Sequence, residues 1–244
     1  MRRAPRPSLA GCRGCAAHEL IRGLPAHFTL IFCSMALLNI HVLPSGMSAF
    51  FRQAIVFSGH MIDVPGRCTP RFPRENVHAV ADLFRSQLRA WGGGRETLAV
   101  CSGAAGGDIV FAESACEIGA SVHLLLPFDV ETFVAESVEP FGDEWVRRFH
   151  DLRNHCTVLQ QADLPGSQPE RSHPFERNNR WVLEHARAGR PGGPIFALLL
   201  WDTLGGDGNG GTADFAHKCA ELAVETVIIR PTTLQISKRR AAAG

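Results

Sequence analysis

Two glycine-rich segments contain the residues best suited to chemistry. The first reads Ser102-Gly103-Ala104-Ala105-Gly106-Gly107-Asp108, and the second runs from Asp202 to Thr212 as DTLGGDGNGGT. Glycine has no Cβ, so such a turn lets an anion approach backbone N–H groups, and a helix beginning there adds unpaired donors and the positive end of its dipole. Both segments therefore predict phosphate-binding turns. The alternative for the first is a tight βα turn whose glycines serve packing, and the alternative for the second is a flexible glycine hairpin.

The elements around these segments predict an alternating fold. Short apolar runs indicate six strands, and helical spacing fills the intervals. Near-continuously apolar runs such as IFALLLW are typical of a parallel sheet covered by helices on both faces. We therefore expect an α/β fold, a Rossmann-like three-layer sandwich with a mostly parallel sheet of about six strands. The strands are predicted at residues 54–57, 98–101, 122–126, 157–159, 195–201 and 227–229, and the helices at 75–91, 108–118, 130–136, 144–154, 175–187 and 213–223.

The residues that follow the strands are the candidate site, because ligands of open α/β sheets bind beyond the carboxyl ends of the strands. Three turns contribute. The predicted ligand-binding residues are Ser58, Gly59 and His60 after the first strand, Ser102, Gly103, Ala104, Gly106 and Asp108 after the second, and Asp202, Gly210, Gly211 and Thr212 after the fifth. His60 has an alternative interpretation as a turn or surface histidine. Residues 61–73 are expected to cross the pocket, with Arg67 and Arg71 as further phosphate contacts.

These segments resemble the SLOG superfamily, which includes the LOG phosphoribohydrolases and the DNA-processing protein A family. The resemblance covers residues 54–229 and is most specific at CSGAAGGDIVFAESACEIGASVHLLLPF, which is similar to the family's S-G-G-A-x-G-x-D stretch. Glu176-Arg177-Asn178 before the fifth strand and Asn209-Gly210-Gly211-Thr212 after it are similar to the E-R-K and P-G-G-x-G-T motifs of LOG enzymes. The resemblance implies a nucleotide-derived ligand across both turns, with Arg177 on the phosphate side.

One position departs from the LOG pattern. The LOG motif has its catalytic Glu three residues after the Thr, where this chain has Phe215. Cleavage of a glycosidic bond needs a positioned carboxylate. Glu113 and Asp214 are weak candidates to replace it, and the catalytic residues are otherwise unknown. The departure therefore favours binding over hydrolysis.

Charge separates the start of the chain from the rest. The 244 residues carry a net charge of +1, but residues 1–52 contain six of the 25 basic residues and one of the 24 acidic ones. The remaining 19 basic and 23 acidic residues make the body mildly acidic, which disfavours nucleic acid as the main partner. The predicted organisation is an extension over residues 1–52, disordered or preceding the true start at Met47, a SLOG-like domain over 53–232 and a tail over 233–244.

The extension contains no convincing targeting or metal signal. Residues 28–42 are apolar but too short for a membrane span and poorly placed for a secretory signal. Cys12, Cys15 and His18 have half of a zinc-site spacing, and the other half is missing, so no metal is expected. Cys101, Cys116, Cys156 and Cys219 lie in apolar patterns, where a thiol behaves as a small hydrophobe, and this indicates a reduced, cytoplasmic protein.

The leading hypothesis is a non-catalytic domain that binds or senses a phosphorylated, nucleotide-like ligand. No other cofactor and no membrane partner are expected, and a homodimer or an effector protein is possible as a partner. The first alternative is a nucleoside-monophosphate phosphoribohydrolase of the LOG type, which hydrolyses an N-glycosidic bond. The second is a single-strand DNA-binding protein.

Overall fold

Seven strands form one sheet in the order β4-β3-β2-β1-β5-β6-β7. This computed structural model describes residues 51–161, 173–205, 208 and 210–239, all within the unit Ser48–Gly244. The strands are β1 Gln53–Gly59, β2 Thr97–Cys101, β3 Ser121–Leu126, β4 Thr157–Gln160, β5 Ile195–Leu200, β6 Glu225–Ile229 and β7 Ile236–Arg239. All neighbouring pairs are parallel except β6 and β7. The α/β fold predicted from the sequence is therefore confirmed.

Six α-helices cover the sheet within the described residues. They are α1 Val77–Ala90, α2 Gly107–Glu117, α3 Val130–Ser137, α4 Asp143–His155, α5 Pro174–Gly189 and α6 Thr212–Glu221. Each corresponds to a helix predicted from apolar spacing, with ends that differ by one to a few residues. Short 3₁₀ helices at Arg74–Asn76 and Glu139–Phe141 precede α1 and α4. None of these helices has the length and apolarity needed to cross a bilayer.

The alternation of side chains along β1 shows why the sheet is covered on both faces. Ala54 and Val56 belong to one buried cluster, and Ile55 and Phe57 belong to the other. Successive residues of a strand point to opposite faces, so a strand that is apolar at every position needs a partner layer on each side. Side chains of α1 to α4 line the first layer, and those of α5 and α6 line the second.

The seventh strand was not predicted. Ile236–Arg239 pairs antiparallel with β6, so part of the segment expected as a tail from residue 233 belongs to the sheet. All four side chains of β7 are exposed, and three of them are polar or charged. An edge strand of this kind has no apolar pattern to reveal it, and its charges protect the open edge of the sheet.

Several sequence predictions concern residues outside the described ranges. These are Cys12, Cys15 and His18, the start at Met47, and Asp207 and Asn209 of the second glycine-rich segment, and they stay predictions.

The order of the strands creates a switch point between β1 and β5. From β1 the chain proceeds through β2 and β3 to β4 on one side, and then crosses to β5 and β6 on the other. At such a point the two flanking turns diverge to opposite faces and leave a crevice at the carboxyl edge of the sheet. The turns after β1, β2 and β5 all reach this edge.

A buried histidine pair joins α5 to the sheet. His123 of β3 and His185 of α5 share a hydrogen bond of 2.8 Å between Nδ1 and Nε2, so at least one ring nitrogen must be unprotonated. Nε2 of His123 is buried without a partner among the described residues. Burial lowers the pKa of both histidines to about 4, and His185 adds repulsion at His123. Both rings are therefore neutral at physiological pH.

The pair predicts acid sensitivity. Both pKa values lie below the unfolded value of 6.5, so the unfolded chain binds more protons as the pH falls from 6.5 to about 4. Above pH 6.5 both histidines are neutral in the folded and the unfolded chain, and they do not reduce the free energy of unfolding. Between pH 6.5 and about 4 the free energy of unfolding falls by about 1.4 kcal/mol for each pH unit and each histidine. Urea denaturation of the wild type and of His123→Asn/His185→Asn at several pH values measures it, and the variant should show the shallower slope.

His78→Gln is the matched control, because His78 is exposed on α1. Its slope should equal that of the wild type. Equal slopes in the wild type and the double variant would contradict the prediction.

Candidate functional site

A cavity of about 470 Å³ lies at the carboxyl edge of β1, β2 and β5. It collects residues from all three turns named in the sequence analysis. The predicted site residues that line it are Ser58, Gly59, His60, Ser102, Ala104, Asp108, Gly210, Gly211 and Thr212. The two glycine-rich segments, more than a hundred residues apart in sequence, therefore meet at one cavity.

Asp108 organises the turn after β2. Its Oδ1 accepts hydrogen bonds from the backbone N–H of Ser102 at 3.0 Å and of Gly103 at 3.3 Å. Burial raises the pKa of Asp108 to about 7, although these two amides act in the opposite direction. These amides therefore already have an acceptor within the protein, which is a correction to the expectation that they face a bound anion. A Cβ on Gly103 would point at Phe149 rather than into the cavity.

Gly106 brings the chain after β1 across this turn. Its φ is +108°, and a Cβ there would lie 2.2 Å from the backbone nitrogen of Ile62. The Ile62 N–H donates to Ala105 O at 3.0 Å, and the Gly107 N–H donates to His60 O at 3.1 Å. Only glycine fits such a close approach with this backbone conformation. Gly106 is thus explained by packing against the protein's own chain.

The turn after β5 is held against the start of α5. Gly210 has a φ of +87°, and a Cβ there would lie 2.5 Å from the backbone nitrogen of Glu176. Nδ2 of Asn179 donates to Gly210 O at 2.9 Å. Gly211 is the N-cap residue of α6, and no side chain caps this helix with a hydrogen bond. The first-turn amides of α6, beside Thr212, are the helix donors best placed for an anion in the cavity.

Asn178 connects the other turn to the same helix. It is 1% exposed, and its Nδ2 donates to Ser102 Oγ and to Leu125 O, both at 2.9 Å. Its Oδ1 accepts from Gln161 Nε2 at 3.3 Å. Together with Asn179, it makes the start of α5 the support for both glycine-rich turns. The sequence motif instead predicts the phosphate-side role for their neighbour Arg177.

Arg177 is not among the residues that line the cavity. Its Nε donates to Gln161 Oε1 at 3.3 Å. Successive helix residues project about 100° apart, so Arg177 and Asn178 cannot both face the same turn. A motif match gives the position of a residue in the sequence, but it does not say which side of the helix faces the cavity. For this reason Arg177 was predicted at the ligand although it does not line the cavity.

His60 belongs to a buried polar cluster rather than to the surface. It is 4% exposed, and its Nε2 lies 3.1 Å from the backbone nitrogen of Asp202 and 3.2 Å from Nη2 of Arg71. Arg71 Nε donates to Asp202 Oδ2 at 3.1 Å, and its backbone N–H donates to the carboxylate of Asp63. Asp202 supports the cavity wall through His60 and Arg71 and does not line the cavity itself.

The charge of Asp202 is maintained by its neighbours. Burial alone would raise its pKa, but the Leu204 N–H, the Arg71 guanidinium and His60 together hold the pKa below its usual range. Because Asp202 stays ionised, Arg71 is held at the cavity wall by charge as well as by geometry. The sequence predicts Arg71 and Asp202 separately near the site, and nothing in it indicates that the two side chains form an ion pair.

Neither candidate catalytic carboxylate reaches the cavity. Glu113 lies on α2 and forms a two-point ion pair with Arg148, at 2.9 and 2.6 Å. Asp214 lies on α6, where its two oxygens accept from Lys218 and from Asn179. Both carboxylates are therefore engaged in structural contacts outside the cavity.

Aromatic side chains that sequence reasoning did not select form part of the wall. Phe133, Phe141, His173 and Phe175 line the cavity. Phe175 stacks with His173 at a centroid distance of 5.7 Å and packs edge-on with Phe128 at 5.6 Å. Their positions after β3 and at the start of α5 could have indicated them, because both segments reach the carboxyl edge. Among the described residues, no group of three or more His, Cys, Asp or Glu side chains could hold a metal ion.

The fold has a distant likeness among proteins of known structure. No protein-family model matches the chain. No curated protein matches it either. Among solved structures, the chain is similar to DNA processing protein A from Streptococcus pneumoniae, with 17% sequence identity and a TM-score of 0.35 over 74% of this chain. The chain spans 59% of the length of that protein.

The Asn178 contacts predict a large effect of a small change. Asn178→Ala removes the donor to Ser102 Oγ and Leu125 O and leaves a buried carbonyl without that partner. The free energy of unfolding should fall by about 1–3 kcal/mol, as measured by urea denaturation. The exposed Asn154 of α4 provides the matched control, since Asn154→Ala should change stability by less than about 0.5 kcal/mol. Similar losses in the two variants would contradict the role given to Asn178.

Proposed function

We propose that this chain binds a phosphorylated, nucleotide-like ligand without cleaving it, as a SLOG-like binding or sensing domain. The observation that carries the proposal is a single cavity that combines residues of two glycine-rich turns, two arginines and a set of aromatic side chains. Phosphate, sugar and base require different surroundings, and this wall contains both cationic and aromatic side chains.

The phosphate is assigned to the turn after β5 and to the arginines that line the same cavity. The first-turn amides of α6 have no side-chain cap, and Gly211 permits close approach to them. Arg67 lines the cavity with 42% of its side chain exposed. Its Nε donates to Thr69 O at 3.0 Å and lies 3.5 Å from Asp63 Oδ1, so a ligand oxygen would approach the terminal Nη groups. Arginine offers paired donors that match a phosphate. The turn after β2 has a lesser part, because Asp108 already accepts two of its amides.

The base is assigned to the aromatic side of the cavity. Phe141 and Phe175 are half-buried and line it together with His173. A nucleobase gains both burial and favourable ring contacts against such side chains. The cavity volume of about 470 Å³ is within the range of small-molecule sites.

Binding is preferred to hydrolysis because of the carboxylates. Glu113 and Asp214, the two replacements that the sequence suggests for the catalytic glutamate of LOG enzymes, are each paired with a cation elsewhere. Moving either one into the cavity would break an ion pair and leave the partner cation without it. The carboxylates that do line the cavity are Asp108, whose Oδ1 accepts two backbone amides of its own turn, and the exposed Glu136. The mildly acidic body likewise favours a small ligand over a nucleic-acid strand.

Binding is tested by titrating the full chain with nucleoside 5′-monophosphates, the matching nucleosides and inorganic phosphate, by calorimetry. We expect the monophosphate of at least one base to bind more tightly than its nucleoside. Arg67→Gln should weaken that binding by roughly tenfold, or about 1.4 kcal/mol, because it removes one charged contact. Arg89→Gln is the matched control, since Arg89 is exposed on α1 and does not line the cavity. Equal affinities for nucleoside and monophosphate, together with no effect of Arg67→Gln, would refute the proposal.

The absence of turnover has its own test. Incubation of the purified full chain with the same monophosphates should release no free base above the level of a protein-free control, as followed by chromatography. Base release that scales with enzyme concentration would instead establish the phosphoribohydrolase alternative. A salt-dependent shift of labelled single-stranded DNA would establish the nucleic-acid alternative.

A further inference from the structure

Two half-buried cysteines lie next to each other at the ends of two helices. Cys116 is the penultimate residue of α2, and Cys156 directly follows α4, forty residues later. Their Sγ atoms are 3.7 Å apart. Neither cysteine lines the cavity, and neither takes part in the proposed binding function.

The surrounding contacts keep the two thiols together. Arg148 of α4 and Glu113 of α2 form the two-point ion pair described above, one turn away from Cys116. The Cys156 N–H donates to Leu152 O at 2.9 Å, which fixes the backbone at the end of α4. A disulfide has an S–S length of about 2.05 Å, so side-chain rotation and a small shift of two helix ends would complete it.

The hydrogen bond between the two thiols distinguishes them from each other. The hydrogen bond from Cys156 lowers the pKa of Cys116, although burial opposes this, so Cys116 is the thiol better able to ionise. Cys101 is fully buried, its Sγ donates to Asp108 O, and burial raises its pKa well above the usual range. Cys156 is therefore the favoured partner of Cys116.

We propose that Cys116 and Cys156 form a disulfide when the protein meets hydrogen peroxide, and that a small dithiol reductant returns the pair to two thiols by exchange. The Cys116 thiolate attacks a peroxide oxygen, the O–O bond breaks, and Cys116 becomes a sulfenic acid while hydroxide takes up a proton to leave as water. The Cys156 sulfur then attacks the sulfenic sulfur, and the second oxygen leaves as water with the remaining thiol proton. Two thiols lose two electrons and two protons in total, and one peroxide is reduced to two waters.

Peptide mapping of the full chain tests this bond. The protein is treated with hydrogen peroxide, free thiols are alkylated, and the chain is cut with trypsin and a Glu-specific protease without reductant. Glu113 lies between Cys101 and Cys116, so these cysteines fall in different peptides. We expect the Cys116 peptide linked to the Cys156 peptide, with a mass two hydrogens below the sum, and separation on reduction.

Two variants and a melting curve complete the test. Cys156→Ser should abolish the linked peptide, whereas Cys68→Ser, at an exposed cysteine that contacts no other thiol within the described ranges, should leave it unchanged. Because the bond closes a loop of forty residues, oxidised wild type should melt roughly 5–10 °C above reduced wild type. The proposal is overturned if Cys116 and Cys156 both remain alkylated at peroxide levels that oxidise Cys68, or if Cys116 is found linked to Cys101.

Discussion

The cavity depends on two consecutive asparagines at the start of α5. Asn178 is hydrogen-bonded to the turn after β2, and Asn179 is hydrogen-bonded to the turn after β5. Consecutive helix residues diverge by about 100°, so one short segment can support two turns that lie on different sides of it. A carboxamide both donates and accepts, which lets each side chain satisfy backbone and side-chain partners without burying a charge. The position of α5 on the sheet therefore sets the distance between the two turns.

The charged residues near the cavity divide into those that build its wall and those open to a ligand. Arg71, Asp63, Asp202 and His60 contact one another, and in this cluster the Asp202 carboxylate has a lowered pKa. Charges that are mutually paired and buried cost much to separate. The cluster consequently gives the wall rigidity. Arg67 lies at its margin, because its Nε is 3.5 Å from Asp63 Oδ1 while 42% of the side chain is exposed, and it is the cationic group suited to a mobile anion.

Most of the fold could be predicted from the sequence because strands such as β5 are buried on both faces and appear as unbroken apolar runs. β7 could not be predicted, because its side chains are exposed and an exposed edge strand has no hydrophobic pattern. The carboxyl edge of the sheet was predicted as the site for a topological reason that holds for open parallel sheets. The choice between Arg177 and Asn178 was not predictable, since it depends on the rotation of α5, which packing of the whole helix determines.

The glycines of the two turns illustrate a limit of motif reasoning. A glycine in a turn indicates that something approaches the backbone closely, but the sequence does not say whether that neighbour is a ligand or the protein itself. At Gly106 the neighbour is Ile62, and at Gly210 it is Glu176, both parts of the chain. In the turn after β2, the amides of Ser102 and Gly103 donate to Asp108, and Gly106 packs against the protein's own backbone. The backbone N–H groups suited to an anion are those at the start of α6. The two turns are similar in composition, but the first is closed by internal contacts and the second leads into the uncapped helix.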